Sequence, residues 1–136
     1  MRKEVIISME IKLGKLIKGR KALNKIINAE GLEAITAYKI AKNSQEIFKE
    51  LSLYDEQNAN LLNKYCERDE NNKPIINNGF VSISDLNKKD YETELKGLFK
   101  EEVELSIKKI SLESISDVGL TPAEILSLEY MLDVDE

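Results

Sequence analysis

The sequence predicts an α+β fold: a long central helix with shorter packed helices, a small sheet from an N-terminal and a late strand, and a polar β-hairpin. Three observations carry this. Apolar residues alternate at period two near the start, at Val5, Ile7, Met9 and Ile11, and again at Val103, Leu105 and Ile107. Between them, Leu32 to Tyr65 contains neither proline nor glycine and repeats its apolar residues at helical spacing. An Asn77-Asn78-Gly79 turn signal then separates two short apolar runs.

Glu4 to Ile11 is the first strand, with Ser8 and Glu10 on the face opposite Val5, Ile7, Met9 and Ile11. From Leu13 to Ile27 the period becomes helical: Leu13, Leu16, Ile17, Leu23, Ile26 and Ile27 form an apolar face, and Lys18, Lys21 and Lys25 lie opposite. Gly14 and Gly19 each weaken that helix by about 1 kcal/mol relative to alanine, so it depends on packing or starts after one of them. Gly31 marks a break.

The long helix follows, with apolar positions at Ile35, Tyr38, Ala41, Ile47, Phe48, Leu51, Tyr54, Leu61 and Leu62. At 1.5 Å per residue it extends on the order of 50 Å, more than a compact domain of this size needs, which predicts a bend or a protruding end. Asn58 interrupts a heptad-like stripe that ends at Tyr65, and too few repeats remain for a coiled coil. After the hairpin, Asn87 and Asp90 form a candidate capping box for a helix carrying Tyr91, Leu95, Leu98 and Phe99, which Gly97 weakens without ending. Val103 to Ile107 is a strand able to pair with the first. Thr121-Pro122-Ala123-Glu124 opens the last helix, with a cap, a proline where its missing N–H costs nothing, and a box-closing glutamate. Ile125, Leu128 and Leu132 dock it, flanked by Leu126 and Met131.

The 136 residues, 42% hydrophobic and 33% charged, fit one domain over 1–136, with a projecting helix–hairpin region at 50–84. With no histidine, no tryptophan and one cysteine, Cys66, imidazole catalysis, imidazole metal ligation and an intrachain disulfide are excluded. Without a run of 18 apolar residues or a leader-like start, the expected setting is cytoplasmic, with no membrane partner. The net charge of −5 conceals +6 over residues 1–28 and −7 over 111–136. The two ends offset each other or steer a partner.

Chemistry-bearing patterns are weak. Glu67, Asp69, Glu70, Asn71 and Asn72 offer oxygen ligands, but a calcium loop starting at Asp69 would end in Phe80 instead of a glutamate. Cys66 lacks an activating imidazole and reads as a buried small apolar residue. Serine–lysine pairs such as Ser106 and Lys108, or the carboxylates Glu101 and Glu102, and Asp133 and Asp135, belong to no pocket-forming motif. GKLIKG at Gly14–Gly19 has neither Rossmann nor phosphate-loop spacing. No enzyme activity, cofactor or metal is expected. Lys12, Lys15, Lys18, Arg20, Lys21 and Lys25 could meet phosphates, yet three arginines in the whole chain, no aromatic platform and a net acidic balance disfavour nucleic acid.

Five segments, VIISMEIKLGKL, LLNKYCERDENNKPI, NNGF, FKEEVELSIKKISLESI and LTPAEILSLEYML, together resemble a family of small uncharacterised proteins of tailed phages and prophages of low-GC bacteria. The chain departs from that pattern at Gly31 and around Asp117. The resemblance implies no catalytic residues; it implies an accessory protein that binds a host or phage protein in the host cytoplasm, or a virion or assembly protein that self-associates. For such binding the candidate contacts are Tyr54, Asn58, Leu61 and Tyr65 on the distal long helix, and Asn77 and Phe80 on the hairpin.

Overall fold

The computed structural model describes residues 6–133, so Glu4 and Val5 of the expected first strand lie outside the described residues. Strand β1 (Ile6–Lys12) pairs antiparallel with β4 (Glu102–Lys108), in register from Ile6 opposite Lys108 to Lys12 opposite Glu102. Between them in the chain come helices α1 (Leu13–Lys18), α2 (Arg20–Ile27) and α3 (Ala34–Tyr65), the hairpin strands β2 (Ile76–Asn77) and β3 (Phe80–Val81), and α4 (Asp85–Lys100). Parallel strands β5 (Ile110–Ser111) and β6 (Leu132–Asp133) enclose a 3-10 segment, Leu112–Val118, helix α5 (Pro122–Ser127) and a short 3-10 turn, Glu129–Met131.

The β1–β4 alternation does what the pattern requires. Ile7, Met9 and Ile11 face Ile107, Leu105 and Val103 across the ladder, and Leu105 and Ile107 are buried, each contributing about 1.5–3 kcal/mol of burial free energy. Ser8, Glu10, Glu104 and Ser106 occupy the exposed side. The core gathers Leu16, Ala22, Leu23 and Ile26 from α1 and α2, the sheet residues, Ile40, Ile47, Leu51 and Tyr54 from α3, and Ile110, Ile115, Leu128, Met131 and Leu132 from the C-terminal part.

The expected single helix over 13–27 is two helices meeting at Gly19. A Cβ there would stand 2.7 Å from the Ser127 carbonyl oxygen, so the glycine admits the close approach of α5. Ile27, assigned to the apolar face, is 37% exposed.

Along α3 the buried line runs Thr36, Ile40, Asn43, Ser44, Ile47, Leu51, Tyr54. The expected positions Ile35, Tyr38 and Ala41 point outward instead. The displacement has a polar cause: Asn43, 1% exposed, donates from Nδ2 to the Lys108 carbonyl and accepts the Lys108 N–H at Oδ1, both at 2.8 Å. Its amide acts as one more peptide group at the edge of β4, a role a count of apolar residues cannot reveal.

Helix α4 begins earlier than the Asn87/Asp90 box proposed. Ser84 is the N-cap, its Oγ accepting the Asn87 N–H at 3.3 Å, and Asn87 lies inside the first turn. Gly97 interrupts nothing. At α5 the expected box forms: Thr121 Oγ1 accepts the Glu124 N–H at 3.2 Å and Glu124 Oε1 accepts the Thr121 N–H at 2.9 Å. The helix stops at Ser127, however, so Leu132 is buried from β6 and Met131 from the 3-10 turn, while Leu126 is exposed.

Candidate functional site

The buried face of α3 ends at Tyr54, and α4 contributes no fully buried side chain. From Asp55 onward these two helices form an antiparallel arm, held by polar and aromatic contacts. Tyr54 stacks at a tilt against Phe99 with ring centres 6.0 Å apart, and Tyr65 meets Tyr91 edge-on at 6.5 Å. The Tyr91 hydroxyl donates to Asn58 Oδ1 at 2.8 Å, Lys64 Nζ reaches Glu94 at 3.2 Å, and the Tyr65 hydroxyl donates to the same carboxylate. That bond raises the Tyr65 pKa and, with Lys64, lowers that of Glu94.

A small lobe, residues 66–83, closes the arm. Glu67 N–H donates to Ser82 C=O at 2.8 Å, Ile75 N–H to Glu67 C=O at 2.9 Å, and Ser82 N–H to Ile75 C=O at 2.8 Å, so three extended segments hold one another. Arg68 latches the lobe to the helix end, donating to Asn63 O and Oδ1 at 2.8 and 2.7 Å and to Asn72 O at 3.0 Å. The acidic stretch forms a turn in which Asp69 Oδ1 accepts the N–H groups of Asn71 and Lys73 at 2.9 and 3.0 Å. Asn78 (φ 52°) and Gly79 (φ 81°) make the hairpin turn, with Asn77 paired to Phe80 across the strands, one residue later than the expected three-residue turn. Cys66 is buried, its Sγ 3.5 Å from the Asn63 carbonyl.

The candidate contacts divide. Tyr54 belongs to the core, 9% exposed, and offers little surface. Asn58, Leu61 and Tyr65 are half-buried along the arm, with Asn58 and Tyr65 committed to α4. Asn77 and Phe80 are exposed at the tip. Phe80 is 77% exposed, and two residues not singled out from the sequence accompany it: Ile76 at 63% in the hairpin and Leu86 at 88% in the first turn of α4. Leu86 lies off the apolar face defined by Tyr91, Leu95 and Leu98, the signal that could have marked it.

The basic residues also divide. Arg20 binds Asp55 through two parallel bonds of 2.8 and 2.5 Å, which lower the Asp55 pKa, and Lys25 reaches Glu124 at 2.9 Å, joining the basic beginning to the acidic end. Lys12, Lys15 and Lys18 make no ion pair among the described residues and line a cleft of about 570 Å³. Among the described residues no cluster of His, Cys, Asp or Glu is suited to hold a metal ion, and no helix is long and apolar enough to cross a membrane.

No family model, curated protein or solved structure matches this chain.

Proposed function

We propose that this chain is a non-enzymatic accessory protein of a tailed phage or prophage, acting in the host cytoplasm by binding another protein through the lobe at the end of the α3–α4 arm. The phage setting rests on the sequence resemblance. The binding surface rests on one observation: Phe80, 77% exposed, stands on a hairpin whose own hydrogen bonds hold it in place, with Ile76 (63%) on the hairpin's other face and Leu86 (88%) in the first turn of α4 that follows. Large apolar side chains left in water on an ordered framework lose little further freedom when a partner covers them, which is the condition for contact residues that dominate binding.

The test is paired affinity capture from host cells, with the wild type and with Ile76→Ser/Phe80→Ser/Leu86→Ser. A stoichiometric partner retained by the wild type and lost by the variant supports the proposal, and Phe80→Ala alone should then weaken binding by more than about tenfold. Identical capture by both proteins refutes it. Light scattering that shows concentration-dependent self-association abolished by the same variant replaces it with the assembly reading.

A further inference from the structure

A second surface lies where β1 runs into α1. The Leu13 N–H donates to the Glu101 carbonyl at 2.8 Å, which continues the β1–β4 ladder by one pair and fixes its phase. Bonded pairs therefore fall on odd-numbered residues of β1, and the backbone N–H and C=O groups of Ser8 and Glu10 turn away from β4. The same phase turns the backbone groups of Lys108 away from β1, where Asn43 meets them. So α3 meets the outer edge of β4 at Lys108, whereas no strand pairs with the outer edge of β1 among the described residues. An open edge of this kind is a template for another strand.

The cleft of about 570 Å³ lies where β1 runs into α1, with Glu102 of β4 and Phe99 of α4 also in its lining. Ile11, Ile17 and Phe99 give it apolar walls, and Lys12, Lys15 and Lys18 line it with three exposed cations, against two carboxylates, Glu10 and Glu102. The two features together specify an occupant. Edge backbone groups call for an extended chain, apolar walls for hydrophobic side chains, and the surplus of lysines for carboxylates. Nucleic acid fits less well, because it has no peptide N–H and C=O groups to pair along a strand edge, only Phe99 offers a ring, and lysine lacks the fork that grips phosphate bidentately.

We propose that the open edge of β1 and the lysine-lined cleft form one docking groove for an extended, acidic, amphipathic segment of a partner protein, which adds beside β1 as a third strand. The backbone supplies strand-to-strand bonds at Ser8 and Glu10, and the lysines select the sign of the segment. The groove is separate from the lobe: Phe99 and Ser84 stand at opposite ends of α4, roughly 20 Å apart along its axis.

The probe is a short fluorescein-labelled peptide alternating valine with glutamate, titrated with the intact chain by fluorescence polarisation. Binding should weaken at least about tenfold when ionic strength rises from about 0.05 to about 0.5 M, and by a similar factor in Lys12→Glu/Lys15→Glu/Lys18→Glu. Ser8→Pro deletes an N–H that points away from β4, so the ladder keeps its bonds while strand addition is blocked, and binding should again be lost. Circular dichroism verifies the fold of each variant; if Ser8→Pro unfolds, the lysine variant and the map of amide shifts on peptide addition, expected within 6–18 and 99–104, decide the matter. The lobe variant Phe80→Ser should bind the peptide unchanged, so the two surfaces can fail separately. No binding, binding indifferent to the lysines, amide shifts confined to the lobe, or tighter binding of oligothymidylate than of the peptide would each overturn the proposal.

Discussion

Replacing Asn43 by alanine is expected to destabilise the protein far more than a surface polar substitution. Asn43 is 1% exposed, and its amide makes two 2.8 Å bonds to the backbone of Lys108. Each such bond contributes about 1 kcal/mol net, and each backbone group left short of a partner beside a helix costs up to about 1–3 kcal/mol. The expected loss is therefore about 2–4 kcal/mol, equivalent to a fall in melting temperature of roughly 8–15 °C for a domain of this size. Urea unfolding followed by circular dichroism measures it directly. Asn43→Asp retains the acceptor for the Lys108 N–H but sets a carboxylate against the Lys108 carbonyl, so it should recover little of the loss. A change below about 0.5 kcal/mol for alanine would refute the idea that a side-chain amide closes this sheet edge.

Three further outcomes follow from the geometry. Glu124 is held at a pKa of about 2, first by the Thr121 backbone N–H and then by Lys25, below its ordinary 4.5. Its contribution is thus fully present above about pH 4.5 and lost as pH falls toward 2, so the urea-midpoint gap between wild type and Glu124→Gln should shrink over that window, and a gap that widens on acidification would contradict the assignment. Gly19→Ala should cost roughly 1–3 kcal/mol, because its Cβ would meet the Ser127 carbonyl oxygen at 2.7 Å; a neutral result would mean that α5 yields readily. The Tyr130 hydroxyl is buried without a hydrogen-bond partner among the described residues, and burial pushes its pKa up, so Tyr130→Phe should leave stability unchanged or raise it by up to about 1 kcal/mol, whereas a loss above about 1 kcal/mol would reveal a partner for the hydroxyl.

The sequence was most legible where one physical rule acted alone. Period-two alternation found β1 and β4 and their pairing, and the absence of breakers found α3. Thr121-Pro122-Ala123-Glu124 located the start of α5 to the residue. Where rules competed, it was less so. Ser84 caps α4, but with Asn87 at the third helical position it lacks the glutamate that makes a capping box conspicuous. Gly19 reads as a weak spot in a helix, whereas its necessity comes from Ser127, more than a hundred residues away in the chain. Strands β5 and β6 are two residues each, too short for any period. Of the candidate contacts, Phe80 and Asn77 lie at the exposed tip because an Asn-Gly turn must sit at a hairpin end; Tyr54 does not, because an aromatic residue on a helical stripe equally well serves the core, and here it meets Phe99. Of the docking groove only the lysines Lys12, Lys15 and Lys18 were legible, as a basic run, since its phase depends on the register of β1 against β4 and its walls come from two distant stretches of the chain.

The most direct measurement places a photoreactive benzoylphenylalanine at position 80 and irradiates the intact chain in host cells, with the same group at position 38, an exposed site near the other end of α3, as the control. If the lobe is the binding surface, position 80 yields one discrete covalent adduct with a second protein and position 38 yields none. Equal labelling from both positions, or no adduct at position 80, contradicts it.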